Sequence, residues 1–294
     1  MIDLHAHTTY SDGTFSPREL VELAVRVGLS AVAVTDHDSI GGLDEALAAS
    51  AELGIEVVPG VEINLEHSGR TVDLLGYFPG GPPGDELRRA LSDLRGYRDV
   101  RNAQILERLR ALGYPIEPAE LAAIAGSGAA GRPHIGEAMR RRGYVDSITE
   151  AFERFLHRGA PAWVDRQRLS LAAAVRLVRR ADGLAVIAHP GIIRTNQAGL
   201  AGLVAEARGC GIGGLECFYP EHDAQMVARC LTLAAVNGLV PTGGSDFHGQ
   251  TKPDVRLGQA NDGRPVPDAV LKGLKARWRQ EHEARESGAP EPSC

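Results

Sequence analysis

The sequence predicts an α/β fold, a parallel sheet or barrel interrupted once by a helical insertion. Three observations predict it. Strand-like and helix-like patterns alternate over residues 2–78; the alternation stops at "PGGPPGD" and gives way to Arg-rich helical pattern through about Leu156; and it resumes from Ser170 to Gly249. The boundaries read from this rhythm are 1–79 for the first part of the sheet or barrel and 80–165 for the inserted helical cap. Residues 166–294 form the second part, with a C-terminal helix and tail.

The first strand is read as Ile2 to His5. "SPRELVELAVRVG" follows as a helix, with Ser16 at the N-cap, Pro17 in the first turn and Glu19 closing a capping box, before Leu20, Leu23, Ala24 and Val27 at helical spacing. "AVAVTDHD" is a buried strand, "LDEALAASAELG" a helix and "IEVVPGVEI" a third strand, so the opening is a βαβαβ series. "TVDLLGYF" makes a fourth strand. The insertion opens with a long helix from Glu86 to Leu112 and continues in shorter ones. After it come a helix from Ser170 to about Ala181, the strand "LAVIAHP", a helix near 198–208, the strand "GLECF", a helix near 223–236 and the strand in "LVPTGGSDFHG", about seven strands in all. The chain closes in a charged helix that frays into a Pro/Ser tail.

The 294 residues are 43% hydrophobic, enough for a large core, and hold no apolar run near the roughly 18 residues a spanning helix needs. No charged and apolar leader follows Met1, so the expected compartment is the cytoplasm. The four cysteines, Cys210, Cys217, Cys230 and Cys294, lack CxxC spacing and read as reduced, mostly buried thiols. A net charge of −6 argues against a broad nucleic-acid footprint. Its distribution is uneven. Residues 86–165 carry 13 Arg and no Lys against 11 acids, net +2, which leaves −8 on the remainder, so the insertion is the place to look for an anion-binding surface.

Histidines with neighbouring acids recur at or just beyond the C-terminal ends of the strands: His5 and His7, Asp12, Asp36-His37-Asp38, Glu62, His189 before Pro190, and Asp246 with His248. In a βα barrel those ends converge on one face, and positions two apart on a strand point the same way, so the pairs His5/His7 and Asp246/His248 can each reach one cluster. Any one of these residues alone reads as an ordinary hydrogen-bonded side chain, and His67, His157, His222 and His282 keep that reading. Eight imidazoles and carboxylates at successive strand ends are different: buried together without cations they would leave charges uncompensated. The set His5, His7, Asp12, His37, Glu62, His189, Asp246 and His248 is therefore expected to bind two or three divalent metal ions, with Glu62 as the natural bridge. A thiolate-free donor set suits Mn²⁺, Fe²⁺ or Zn²⁺. Paired ions of this kind acidify a bound water and clamp the attacking and leaving oxygens of phosphoryl transfer.

The motifs "DLHAHTTYSDG", "TDHDS", "PGVEI", "AHPG" and "GGSDFHG", in this order, resemble the PHP (polymerase and histidinol phosphatase) superfamily over residues 2 to about 258. The branch most similar is that of the stand-alone bacterial phosphoesterases, among them 3′,5′-nucleotide bisphosphate phosphatases and 5′-to-3′ exonucleases acting on RNA. The resemblance implies a distorted (β/α)7 barrel of the PHP type, with the insertion as a small helical domain, and a trinuclear metal site, manganese being the first expectation and iron or zinc the alternatives. It implies that His5, His7, Glu62 and Asp246 hold one ion, that Glu62 and His189 contribute to a second, and that Asp12, His37 and His248 hold a third. Relatives read "VHLLGY" where this chain has "VDLLGY", so Asp73 replaces that histidine or its role is absent. In "GRPHIGEAM" Pro133 can open a helix, placing Arg132 and His134 at an N-terminus suited to phosphate. Both are expected to bind the substrate phosphate and assist catalysis, with His134 also a candidate for the second metal or for protonating the leaving alkoxide.

The resulting expectation is a metal-dependent phosphoric ester hydrolase acting on a nucleotide monoester, 3′,5′-bisphosphonucleotide first, with no membrane and no obligate protein partner. The alternatives are a 5′–3′ exoribonuclease on short RNA, a histidinol-phosphatase-like activity, a metallo-amidohydrolase, and a non-catalytic metal-binding PHP module.

Overall fold

The computed structural model describes residues 1–126, 130–165, 168–193, 195–288 and 292. Strand β1 (Ile2–Asp3) leads into helix α1 (Pro17–Arg26), where Ser16 and Glu19 form the expected capping box. Strand β2 (Ala31–Val34), helix α2 (Leu43–Leu53) and strand β3 (Glu56–His67) complete the opening series, with β1, β2 and β3 parallel.

The sheet then departs from an all-parallel arrangement. Strand β4 (Arg70–Tyr77) pairs antiparallel with β3 over its whole length, and again antiparallel with β6 (Leu184–Ile187). The cause lies in the connection: only Ser68 and Gly69 separate β3 from β4, both with positive φ, and a two-residue loop of that conformation makes a hairpin, whereas a parallel crossover needs a dozen residues or more.

The segment after β4 contributes α3 (Asp85–Ala111), α4 (Pro118–Ala125), α5 (Arg132–Arg141), α6 (Ile148–Ala151) and a π-helical turn over Phe152–Leu156. These helices enclose a core of their own, with Ile105, Leu109, Ile135, Met139 and Leu156 buried together. A two-residue strand β5 (Leu169–Ser170), absent from the sequence reading, returns the chain beside β3. Helix α7 (Leu171–Arg180), β6, helix α8 (Gln197–Cys210), strand β7 (Gly214–Phe218), helix α9 (Ala224–Val236) and strand β8 (Val240–Gly243) follow, and α10 (Asp268–Glu286) ends the helical chain.

The sheet order is β1-β2-β3-β4-β6-β7-β8, and Leu4 N–H donates to Gly243 O across the first and last strands, so the sheet nearly closes on itself. Alternation along the strands divides the core. Val32, Val34, Ile63, Leu74 and Ile187 pack with α1, α2 and α7–α9, whereas Ala31, Ala33, Leu75, Tyr77 and Val186 form a second cluster that α10, lying across the N-terminal ends of the strands, joins with Val270, Leu271 and Leu274. Cys217 and Cys230 are free and buried, as their composition suggests. Cys210 is not a reduced thiol but disulfide-bonded, and Pro292 lies against the neighbouring Gly211. Cys294 lies outside the described residues. Among the described residues no helix is long and apolar enough to cross a membrane.

Candidate metal centre

The two His-x-His and Asp-x-His pairs become neighbours through backbone bonds. Beyond β1 the chain stays extended, and beyond β8 it runs alongside: Asp246 N–H donates to His5 O (2.8 Å) and His7 N–H to Phe247 O (2.9 Å). Leu4, His5, Ala6 and His7 are all fully buried, Leu4 and Ala6 in the apolar core and His5 and His7 among the acids. Gly244 makes the approach possible, because a β-carbon there would lie 2.3 Å from the backbone nitrogen of His5. Past β2, Asp38 N–H donates to Glu62 O (2.8 Å) and Glu62 N–H to Asp36 O (3.2 Å), which sets His37 beside Glu62. Asp36 itself faces away from that contact. It accepts from Thr8 N–H (2.8 Å), Thr8 Oγ1 (2.6 Å) and Ser11 Oγ (2.6 Å), and so shapes the loop that carries Asp12.

The side chains form three overlapping groups, in each of which the candidate ligand atoms lie within 4.8 Å of one another: His5, His7, Glu62 and Asp246; Glu62, Asp73 and His189; and His7, Asp12, His37 and His248. In the first, His7 Nε2 stands 3.2 Å from both Glu62 Oε2 and Asp246 Oδ1, and His5 Nε2 stands 3.3 and 3.5 Å from the same atoms. In the second, His189 Nε2 is 2.9 Å from Glu62 Oε1 and 3.9 Å from Asp73 Oδ2. In the third, His248 Nε2 is 3.1 Å from Asp12 Oδ1, and His37 Nε2 is 3.9 Å from Asp12 Oδ2. All eight sequence-predicted residues are thus in the groups, and Asp73 joins them. His134 does not. His67, His157, His222 and His282 also stay outside, His222 instead bridging Gly191 N–H and Cys217 O as a buried hydrogen-bonded ring.

The donor set fits divalent cations. His5 Nε2, His7 Nε2, His37 Nδ1, His189 Nδ1, Asp12 Oδ1 and Glu62 Oε2 are buried without a hydrogen bond of acceptable geometry, a costly state for polar atoms unless something else sits among them. Two ligands at about 2.0–2.1 Å from one ion stand roughly 3.0–3.4 Å apart, close to the spacings around His5 and His7. Charge points the same way. Burial works against ionisation, yet the surrounding imidazoles hold Glu62, Asp12 and Asp246 well below the usual carboxylate range. Burial likewise depresses His5 and His189, but facing carboxylates win: Glu216, Glu62 and Asp246 raise His5 well above its ordinary value, and Glu62 lifts His189 to about 9. Asp73 moves upward, through burial and the charge on Glu62.

A second layer orients these groups. Glu216 Oε1 accepts from His5 Nδ1 (3.0 Å) and Oε2 from His189 N–H (2.6 Å); Tyr219 donates to Asp246 Oδ2 (3.0 Å), where Lys252 Nζ also lies (2.5 Å). His248 Nδ1–H donates to Asp246 O (2.8 Å). Carboxylate and carbonyl partners of this kind fix a ring's tautomer so that its other nitrogen can ligate. Asp38, His189 and Asp246 have φ of 50°, 26° and 55°, conformations that cost on the order of 1–3 kcal/mol each.

The inserted helices complete the site. A cavity of about 180 Å³ opens onto Asp12 and His37 and is lined by Arg98 and Arg101 of α3, Arg132 and His134 of α5, and Arg168. Arg132 donates to Leu156 O (3.2 Å) and lies over the Phe152 ring, its acidity raised by burial and by Arg168. His134 Nδ1 accepts from Gly131 N–H (2.9 Å), and burial lowers its affinity for a proton. The sequence reading missed Glu216, Asn64, Arg98, Arg101 and Arg168. Glu216 alone carries a local signal, a charged residue inside the apolar strand "GLECF".

Imidazole and carboxylate groups gathered at the strand ends of a nearly closed barrel define a metal-dependent hydrolase. Residues 3–160 match the PHP domain model, and the chain belongs to that family. It is similar to a 5′-3′ exoribonuclease of Haemophilus influenzae, 34% identical with 84% of this chain and 89% of the relative covered. It is also similar to a 3′,5′-nucleoside bisphosphate phosphatase of Chromobacterium violaceum, 31% identical with 94% and 97% covered. Among solved structures, an amidohydrolase from Chromobacterium violaceum with bound sulfate and no metal superposes with a TM-score of 0.83 at 30% identity, covering 94% of this chain and 96% of that one. The chain is accordingly a phosphoester hydrolase of the metal-dependent type.

Proposed function

We propose that this protein hydrolyses a nucleotide phosphate monoester, taking a 3′,5′-bisphosphonucleotide to the 5′-monophosphate and inorganic phosphate. The observation that carries the reading is the arginine-lined cavity meeting the carboxylate and imidazole groups at Asp12 and His37. His5, His7, Glu62 and Asp246 would hold one ion, Glu62, Asp73 and His189 a second, and Asp12, His37 and His248 a third, with manganese the first expectation. Bound there, divalent cations supply Lewis acidity and a water acidified to near-neutral pKa.

The chain's own residues do the rest. Arg132, which lines the cavity, binds a phosphate oxygen through its guanidinium, where burial makes a charge-assisted hydrogen bond strong. Because His134 Nδ1 accepts from Gly131 N–H, the neutral ring carries its proton on Nε2. That Nε2–H can donate a hydrogen bond to the leaving oxygen and so stabilise the charge that builds there, the ring keeping its proton. Arg98, Arg101 and Arg168 line the same cavity and add positive charge suited to a second phosphate of the substrate.

The exoribonuclease reading keeps its place because that relative covers most of the chain. Phosphate release by Mn²⁺-loaded protein from adenosine 3′,5′-bisphosphate, 5′-AMP, histidinol phosphate and a 5′-phosphorylated RNA trimer separates the two. Fast release from the bisphosphate alone supports the proposal. Nucleotides from the trimer with a slow bisphosphate reaction replace it with an exonuclease, and no turnover of any of the four removes both.

A further inference from the structure

The three ligand groups do not lean on the same part of the chain. The group of His5, His7, Glu62 and Asp246 is braced within the barrel, by Glu216, Tyr219 and Lys252. The outer two are tied to the inserted helices. Asp38, fully buried and left-handed, directly follows His37; its Oδ2 accepts from Arg98 Nη2 (2.5 Å), and its carbonyl from Arg95 Nη1 (2.8 Å), both arginines belonging to α3. Its Oδ1 accepts from Asn64 N–H (3.4 Å). Asn64 in turn donates from Nδ2 to Asp73 Oδ1 (2.6 Å) and accepts at Oδ1 from Arg168 Nε (3.0 Å). His37 of one outer group and Asp73 of the other are thus two branches of one polar chain that starts on α3.

We propose that Arg98 and Asp38 are positioning residues through which the inserted helices set the geometry, and hence the occupancy, of the two outer metal sites but not of the central one. Asp38 sits in a conformation that a residue with a β-carbon adopts only when held. With Arg98 gone, a buried carboxylate loses the guanidinium bonded to its Oδ2, and the backbone that aims His37 and Asn64 is held less firmly. The inference rests on the ligand assignment proposed above.

The test is Mn²⁺ binding to the full-length protein, by calorimetry and by the free-Mn²⁺ electron paramagnetic resonance signal, with near-ultraviolet circular dichroism reporting the fold. Arg98→Gln and Asp38→Asn should weaken the outer ions by roughly 10- to 100-fold, the range seen for partners of metal ligands, and leave one tight ion. Arg98→Lys, which keeps the charge, should recover part of the loss. Asn64→Ala leaves the Arg98–Asp38 pair intact while taking a partner from Asp73 and from Arg168, and should cost only the ion at Glu62, Asp73 and His189, so it serves if the charge variants fail to fold. Glu216→Gln, whose carboxylate meets both His5 Nδ1 and the His189 N–H, should weaken the central ion and the one at His189 while sparing the one at Asp12, His37 and His248. Wild-type binding in Arg98→Gln, Asp38→Asn and Asn64→Ala, or an equal loss of every ion, overturns the inference. A wild-type chain that binds no Mn²⁺ overturns the ligand assignment instead.

Discussion

Asp246 divides its two oxygens between tasks: Oδ1 faces His5 and His7, while Oδ2 takes the Tyr219 hydroxyl and the Lys252 ammonium. Removing it strips one candidate ion of a ligand and leaves Lys252 facing His5 and His7 without the intervening charge. Asp246→Ala is therefore expected to lose bound metal and to lower kcat by well over about 100-fold, more than losing an outer-layer partner costs. Circular dichroism should stay native, and full activity in this variant would remove Asp246 from the centre. Arg132→Ala acts on a different quantity. Losing a charged hydrogen bond worth about 1.5–3 kcal/mol should lower kcat/KM for phosphate esters by roughly 10- to 150-fold. Unchanged kinetics would return Arg132 to a plain first-turn residue whose contacts are Leu156 O and the Phe152 ring. At this scale the sequence points to the residues that gather, because His5, His7, His37, His189, Asp246 and His248 follow closely on strand ends, whereas Glu62 stands in mid-strand because β3 runs on to His67. It says nothing of Asn64 and Arg98, whose partners lie on other elements and carry no spacing signal.

Among the elements, the β3–β4 hairpin and the inserted helices decide the shape of the site. The hairpin sets Asn64 opposite Asp73 in register, which brings Asp73 to Glu62 and His189. The strand identities follow from hydrophobic pattern, but the antiparallel turn rests on the Ser68-Gly69 pair alone, a short signal easily passed over inside a parallel rhythm. Helix α3 packs Ile105 and Leu109 into a core separate from the barrel's. Ile105→Ala should destabilise that core by about 2–5 kcal/mol, while the central ligand group, braced by barrel residues, stays intact. Hydrogen exchange would show the effect: faster exchange confined to α3–α6 is expected, and uniform acceleration over the barrel strands would mean the two cores melt as one.

For the molecule as a whole, cations and protons compete for the same face. In the metal-free chain His5 and His189 are raised above the ordinary imidazole value, His189 to about 9 against 6.5. Such groups stabilise the fold fully below their unfolded value, and the contribution is lost as pH rises through the folded one. Metal-free protein should accordingly melt at a falling temperature between pH 6.5 and 9, and Mn²⁺-loaded protein, whose imidazoles are already neutral, should not. Mn²⁺ added near pH 7.5 in weak buffer should release protons, with affinity weakening as pH falls. Binding without proton release would mean that these rings are not ligands. The α/β class is legible from the alternating pattern, which leaves an open parallel sheet and a barrel equally in play; the barrel comes from the family resemblance. The near-closure through Leu4 and Gly243, and the packing of α10 across the strand ends, depend on contacts between chain ends that no local window contains.

Of the six non-glycine residues with left-handed backbone among those described, Asp38, His189 and Asp246 stand at the centre. Glycine would adopt each of these conformations without strain. The side chains at 38, 189 and 246 therefore carry backbone strain that glycine would relieve only by giving up the contacts they make with Arg98, Glu62 and Lys252, so the same three positions hold both a cost in the backbone and the charges of the centre.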